Sequence, residues 1–477
     1  SIGPDVREHL VRWIAAGRRG SADLCAYFLL RNLSLTRHGR VGIIATNTIA
    51  QGDTREVGLD QATKTGWTIY RAVKSQPWPG TASLEVSLVW LGRAGEQEAP
   101  HLDGRTVRGI TPSLNPRSRV SGNPYRLAAN AGRSYIGSYV LGTGFVLDPD
   151  HAQALIEKDP RNKEVLFPYL NGEDLNSRPD CSASRWVINF HDWPLERAQQ
   201  YPDCFAIVDR DVKPERLRNK YSKTARERWW LYERSRPELY GAIKGLDRVL
   251  VIARVSSTGL PVLVPTGQVM SEQLVVFATD RPEMLALLSS AWHFHWWTTK
   301  GESTLRADAR YTPSKGFETF PQPEPLTERM ARAGDELDTY RRSVMLGRQL
   351  GLTKLYNLVH DPEVTDPEIA RLRDIHVEID KAVAEAYGWD DLPLGHGFHP
   401  TPQGTRFTIS LEAQVEALDR LLELNHERYA EEERHGLHSR RSARSRSAPS
   451  APTLQIPAQS EPINVDDALF PPTDALF

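Results

Sequence analysis

Arg40-Val-Gly-Ile-Ile-Ala-Thr-Asn-Thr-Ile-Ala-Gln51 is an apolar run rich in Val and Ile that stops abruptly at Thr46-Asn47-Thr48. Such a run reads as a buried strand. Open α/β sheets bind ligands beyond the carboxyl ends of their strands, so the polar stop is a candidate site. Working outward, Asp5 to Leu35 reads as helix. Val6, Leu10, Trp13 and Ile14 share one face, and after Gly17 to Gly20 a second run carries Leu24, Tyr27, Phe28 and Leu30. Gly39 ends it and starts the strand. Leu59 to Thr65 suits a short helix closed by Gly66, and Thr68 to Val73 and Ala82 to Leu91 read as further strands. Helix, strand, helix, strand, strand is the pattern of the late part of an α/β sheet. About 95 residues are too few for a complete doubly wound domain.

The whole chain has 477 residues, 40% hydrophobic and 25% charged, which predicts roughly three domains. A net charge of -2 decides nothing about nucleic acid, because basic residues gathered on one surface suffice. Cys25, Cys181 and Cys204 are few and widely spaced, which fits a reducing cytoplasm and neither a disulfide framework nor a zinc cluster. The longest apolar runs, such as Val249 to Val255, are interrupted by Arg254 and fall far short of the roughly 20 residues of a membrane span.

Local charge is more informative. Between Arg105 and Arg133 stand six arginines, at 105, 108, 117, 119, 126 and 133, with no Asp or Glu. The run reads either as a solvated loop or as a phosphate-contacting segment. A second zone holds Lys213, Arg216, Arg218, Lys220, Lys223, Arg226, Arg228, Arg234 and Arg236 against Glu215, Glu227 and Glu233. Tyr221, Trp229, Trp230 and Tyr232 lie among them. Cations mixed with aromatics suit a nucleic-acid surface, whereas a solvated face with the tryptophans in a core is the alternative.

From Tyr135 to Phe320, β-like runs at Ile136 to Leu147, Arg185 to Phe190, Arg248 to Val255 and Gln273 to Phe277 alternate with Pro- and Gly-containing loops. They predict a mixed, mainly β domain with helical insertions. Beyond Pro321-Gln322-Pro323 the spacing turns helical, with Ile369, Leu372, Ile375, Ile379 and Val383, and later Leu411, Val415, Leu418 and Leu422. From about His435 the chain is rich in Ser, Arg and Pro, a composition that predicts disorder, and it ends in two copies of Asp-Ala-Leu-Phe. His293 and His295 with Trp292, Trp296 and Trp297 read as packing, and no metal site is expected.

Ser21-Ala-Asp-Leu-Cys-Ala-Tyr-Phe28, Gly39 to Asn47, and Trp78-Pro-Gly80 with the strand to Trp90 resemble, in order, the later motifs of amino-group DNA methyltransferases. Tyr169-Leu-Asn-Gly-Glu-Asp-Leu175, Arg185-Trp-Val-Ile-Asn-Phe190, Arg310-Tyr-Thr-Pro313, Phe317-Glu-Thr-Phe-Pro321 and Ala386-Tyr-Gly-Trp389 resemble the recognition and C-terminal regions of large single-chain type II (MmeI-like) restriction-modification proteins. The resemblance implies a partial class I S-adenosylmethionine-dependent methyltransferase sheet over 1–100 and a basic linker over 101–134. A DNA target-recognition domain over 135–323, a helical subdomain over 324–434 and a disordered tail over 435–477 would follow.

The implied activity is methyl transfer from S-adenosylmethionine to N6 of an adenine flipped out of double-stranded DNA. By the same resemblance, Asp23, Tyr27 and Phe28 border the cofactor pocket, with helix packing the alternative for the two aromatics. Asn47 ends a strand near the target base, or caps the turn. Trp90 stacks on the extruded adenine, or packs in the core. Arg105, Arg108, Arg117, Arg119, Arg216, Arg218, Lys220, Arg226 and Arg228 would meet DNA, with Arg254 and Ser256 reaching base edges. The family's cofactor glycine loop and its Asn/Asp-Pro-Pro-Tyr/Phe tetrapeptide are not found. Asn123-Pro124-Tyr125 has one proline too few, and Gly142-Thr-Gly-Phe145 stands in the wrong order. The expectation is a catalytic half lost upstream or carried by a separate subunit. The other reading is a non-catalytic DNA-recognition subunit.

Overall fold

Strand β1, Arg40–Thr46, ends at the polar stop read from the sequence. It joins β2 (Trp67–Pro77), β3 (Glu85–Arg93), β4 (His101–Leu102) and β5 (Arg105–Thr106) in one sheet of order β1-β3-β2-β4-β5. This is a computed structural model; it describes residues 3–80, 82, 84–93, 99–117, 119–120, 122–218, 222–300, 304–305, 308–401 and 404–438. A seven-residue loop makes β2 and β3 an antiparallel hairpin, and β3 then slots between β2 and β1, antiparallel to both. The helices Gly52–Val57 and Leu59–Lys64 carry the chain from β1 to β2, which therefore run the same way.

Strand alternation decides which face is covered. Val41, Ala45, Val89, Leu91, Ile69 and Ala72 point to one side, where they pack with Leu29 and Leu33 of the helix Leu24–Leu35. On the other side Ile44 is 60% exposed and Gly42 is exposed. The two helical runs expected over Asp5 to Leu35, on either side of Gly17 to Gly20, are Pro4–His9 with a π-helical turn Leu10–Ile14, and Leu24–Leu35. Gly17, at φ +82°, supplies the left-handed residue that turns the chain between them.

Two four-stranded sheets follow. An antiparallel one has the order β11 (Val262–Pro265), β10 (Arg248–Ala253), β13 (Leu274–Phe277), β6 (Ser134–Ile136). The other is β12 (Val269–Met270), β8 (Leu166–Leu170), β9 (Arg185–Ile188), β7 (Val146–Leu147). The mainly β expectation needs correction, because helical residues outnumber strand residues in this region. Pro149–Lys158, Pro202–Asp211, Pro282–Ser289 and Ala291–Lys300 are helices of eight to ten residues. At two or three turns each they are too short to display a long period. The run Ile136 to Leu147 is likewise not one strand. An added Cβ at Gly137 would fall 2.1 Å from the Ser271 carbonyl oxygen, and Gly142 has φ +129°, so the chain bends twice before β7.

The antiparallel sheet shares its core with the C-terminal helices. Val249, Val251, Val275 and Phe277 pack with Leu285 and Trp296, and on into Leu337, Leu355, Ile379 and Leu422. These last four come from Glu328–Arg348, Leu352–His360, Pro367–Tyr387 and Leu411–Arg434. The helix Glu328–Arg348 approaches so closely at Gly334 that a Cβ there would lie 2.0 Å from the Pro282 carbonyl oxygen. His293 and His295 are buried in this core. His293 Nδ1 lies 3.0 Å from the Leu288 carbonyl and Nε2 lies 3.0 Å from the Tyr311 hydroxyl, a pattern that a neutral ring with Nδ1–H satisfies. His295 Nε2 is 3.0 Å from Thr408 Oγ1.

The second sheet has its own core, in which Phe145, Val187, Ile188 and Val208 pack with Trp229, Trp230, Leu231 and Tyr232. Arg216 lies inside it at 2% exposure. It donates from Nη2 to the Val140 and Leu231 carbonyls at 2.8 and 3.2 Å, and its Nη1 is 3.5 Å from Glu233. The expectation of a DNA contact at Arg216 is corrected: a guanidinium without solvent access ties three segments together. The chain divides at residue 431 into two compact units, and in the second His438 pairs with Glu432 at 2.8 Å. Residues 439–477, with both Asp-Ala-Leu-Phe copies, lie outside the described residues.

Truncating Arg216 leaves two buried carbonyls unpaired. Arg216→Ala is therefore expected to cost about 3 kcal/mol, seen as a lower denaturant midpoint; an unchanged midpoint would remove its structural role. Burial pushes the His293 ring down to about 4 and the His295 ring down to about 3. Their unfolded values lie near 6.5, so below that pH the unfolded state takes up protons that the folded state refuses. Stability should fall as pH drops from about 6.5 toward about 4, by about 1.4 kcal/mol per pH unit for each ring. A melting temperature constant between these limits would contradict it.

Candidate nucleic-acid interface

The carboxyl end of β1 meets the start of the helix Leu24–Leu35. Thr46 and Thr48 each direct a hydroxyl at Asp23 Oδ2, at 3.3 and 3.4 Å, and the two hydroxyls are 2.6 Å apart. The loop that carries Asp23 is pinned from below. The Asp23 amide donates to Thr54 Oγ1 at 3.0 Å and the Ser21 amide donates to Asp53 Oδ2 at 2.6 Å. Burial, and then the Asp23 charge, push the neighbouring Cys25 thiol up to about 11, so it stays protonated. Asn47 is half-buried and opens the 3-10 turn Asn47–Ala50. Tyr27 packs among Ala15, Ala26 and Val57, whereas Phe28 is 65% exposed.

Trp90 does not join this cluster. The antiparallel register sets Thr46 opposite Val86 and Gly42 opposite Trp90, so the ring lies four positions, roughly 13 Å, back from the strand end. It is half-buried on the open face of the sheet, with the Arg71 guanidinium 5.1 Å from its centroid. Asn47 and Trp90, paired by resemblance, are thus held apart.

The first arginine run splits into spent and unspent charges. Arg119 is held by Glu423 at 3.0 Å and by Glu416, and these bonds push its guanidinium up. Arg126 is 3.8 Å from Glu318, and Arg133 lies 5.9 Å from the Phe317 ring centroid with its affinity for protons lowered by burial. Arg105, Arg108 and Arg117 have no side-chain ion pair or hydrogen bond among the described residues. Arg108 and Arg117 are exposed.

The second zone divides in the same way. Lys213 pairs with Asp209 and stands 4.6 Å from the Trp229 ring centroid. Lys223 faces Glu227 at 3.6 Å, and Arg236 faces Glu238 at 3.7 Å. Arg226, half-buried, lies on the helix Lys223–Glu227, and Lys220 lies outside the described residues. Arg218, Arg228 and Arg234 are exposed and lack a side-chain partner among the described residues. The four residues Trp229 to Tyr232 are all buried. Trp230 Nε1 donates to the Trp193 carbonyl at 2.9 Å and the Tyr232 hydroxyl donates to the Ile188 carbonyl at 2.8 Å. The tryptophans are therefore core, and the arginines before and after them are surface.

Arg254 follows β10. Its Nη1 donates to the Glu272 carbonyl at 2.9 Å and its Nε is buried without a hydrogen-bond partner. Ser256 is buried and its Oγ accepts from the amides of Thr258 and Gly259 at 3.2 and 3.3 Å, which caps a turn. Asp192, absent from the sequence-based candidates, lies with Arg228 and Arg234 on one cavity. Its place in the loop after β9 was the available signal, since polar loop residues on a rigid scaffold often carry function.

Among the described residues no helix is long and apolar enough to cross a membrane. A comparison with curated proteins returned no match. Among solved structures the chain is similar to that of the type IIL restriction-modification enzyme MmeI in complex with DNA. The TM-score is 0.61 at 17% identity, over 90% of this chain and 55% of that one. That likeness establishes a shared mixed helix and sheet fold, and the chain spans about half the length of the one it matches. Within this fold, residues 130–324 match the family model of the MmeI target recognition domain.

Proposed function

We propose that this chain supplies the DNA-recognition half of an adenine-specific N6 DNA methyltransferase of a restriction-modification system. The observation that carries the reading is the match of residues 130–324 to the MmeI target recognition domain, set in a chain whose fold resembles a DNA-bound enzyme. Double-stranded DNA is the partner. Arg108, Arg117 and Arg218 are exposed cations with no side-chain partner among the described residues, the condition for meeting phosphates at little cost in broken pairs.

In this reading S-adenosylmethionine supplies the methyl group. Asp23 and Phe28 suit one wall of its pocket, an open carboxylate and an open ring. Tyr27 does not fit, because its ring is packed in the helix core. Asn47 would stand at the rim near the target base, and Trp90 is set too far back in the register to stack there unless the base enters over the open face.

The second reading is a recognition subunit that works with a separate catalytic polypeptide. Both readings supply a cover for the N-terminal part, where eight of the fourteen large hydrophobics exposed among the described residues fall, between Val6 and Leu84, including Trp13, Phe28 and Ile44. An apolar surface of this density wants a cover. Coding sequence upstream of Ser1 separates the two readings, since a glycine loop and Pro-Pro tetrapeptide there support the first.

The purified chain is expected to bind duplex DNA with an affinity that falls steeply with salt, and to transfer no labelled methyl group by itself. Arg108→Ala and Arg117→Ala should each reduce the salt slope by about one. Arg119→Ala should leave it unchanged, because Glu416 and Glu423 already neutralise that charge. Methyl transfer by the chain alone would overturn the assignment of catalysis elsewhere, and salt-insensitive binding would overturn the phosphate surface.

A further inference from the structure

The segment Arg228 to Glu238 borders a surface cavity of about 310 Å³ whose lining is mixed in charge. Arg228, Arg234 and Arg236 supply donors, and Asp192, Glu233 and Glu238 supply acceptors. Three of the six are occupied. Glu233 accepts from Ser222 Oγ at 3.0 and 3.2 Å and lies near Arg216, while Arg236 and Glu238 face each other. Asp192, Arg228 and Arg234 are exposed and have no side-chain partner among the described residues. Of these, Arg234 has the most rigid base. Its backbone exchanges two hydrogen bonds with Tyr139, at 3.0 and 3.2 Å, and the next carbonyl, of Ser235, accepts from Ser138 Oγ at 3.1 Å. Arg236 is held at φ +60°, a left-handed conformation that costs energy for a side chain of this kind, and its Nε is buried without a hydrogen-bond partner.

A site for a phosphate gathers cations alone, and carboxylates on the same cavity would repel it. A base pair is different, because its groove edge presents acceptors and donors side by side. In the major groove guanine offers N7 and O6 as acceptors and its partner cytosine offers the N4 amino group as donor. We infer that this cavity reads one G·C pair, with Arg234 donating to guanine N7 and O6 and Asp192 accepting from the cytosine amino group. This rests on the DNA-recognition reading above and assigns a specificity residue within it. The helix Lys223–Glu227 contributes Thr224 and Ala225 to the lining.

The test uses the 477-residue chain and a pool of random-sequence duplex DNA, selected by binding and then sequenced. Wild type should enrich a motif containing a G·C position that Arg234→Ala loses. Preference there should drop about 5- to 150-fold while the other positions hold. Arg234→Gln should move the same position toward A·T, because Gln pairs with adenine, and Asp192→Asn should weaken the G·C preference at that position alone. Arg234 and Asp192 are exposed, and a melting curve of each variant checks that it is folded. A uniform loss of affinity with the motif intact and the salt slope lowered would make Arg234 a phosphate contact and overturn the inference. Binding and motif equal to wild type would overturn it too. If wild type enriches no motif at all, the DNA-recognition reading itself falls, a result distinct from either.

Discussion

Four consecutive buried residues, Trp229-Trp230-Leu231-Tyr232, fix the surface on which the proposed recognition depends. Trp229 and Trp230 meet edge to face at 5.9 Å, and hydrogen bonds from Trp230 and Tyr232 reach backbone carbonyls on two other segments. Arg216 closes the arrangement from beneath by bonding to the carbonyls of Val140 and Leu231. A chain pinned at four successive side chains cannot shift without opening the core. The arginines at either end of the segment are long and flexible, but their Cα positions are set by that anchorage. Such anchorage gives a loop-rich region the precision that the proposed base reading would demand.

The N-terminal sheet obeys a different constraint. A strand sequence such as Val-Gly-Ile-Ile-Ala-Thr is apolar on both faces, which suits burial between two layers. One layer is present, the helix Leu24–Leu35, and the opposite face leaves Ile44 exposed and Trp90 half-covered by Arg71. The cation above Trp90 recovers part of the interaction that a covering layer would give. The energetic logic is that of an interface: about 25 cal/mol for each Å² of apolar surface removed from water.

The sequence made β1 legible almost to the residue, because seven apolar-rich positions end at a cluster of hydroxyl and amide side chains. The helices Pro367–Tyr387 and Leu411–Arg434 were equally plain, with six turns of apolar period and, for the first, Gly388 in the left-handed conformation beyond its end. Short helices between 149 and 242 were not legible, since a segment of four to ten residues shows too little period to separate from loop. At the site, charge counting marked two basic zones but could not tell Arg216 from Arg218, two residues apart on one short helix. One points into the core and the other out of it, a distinction set by helix phase against a core that had not yet been located. The distance of Trp90 from Asn47 was hidden for a related reason, because pairing register is a property of two strands and is not written in either.

The nearly neutral total charge of the chain reflects 59 Lys and Arg residues against 61 Asp and Glu, and hides how the cations are used. Arg119, Arg329, Arg348 and Arg420 each engage two or more carboxylates at the joins of the C-terminal helices. Within the two arginine-rich zones, Arg108, Arg117, Arg218, Arg228 and Arg234 are exposed and have no side-chain partner among the described residues, and five cations disappear in a sum over 59 Lys and Arg residues. An exposed guanidinium already matched to a carboxylate has to break that pair before meeting a phosphate or a guanine, and the loss offsets the gain. An unmatched one gives up only water. Within these zones pairing therefore sorts the cations more sharply than net charge does, and the same criterion separates Arg234 from Arg236, which lies two residues away on the same cavity and already faces Glu238.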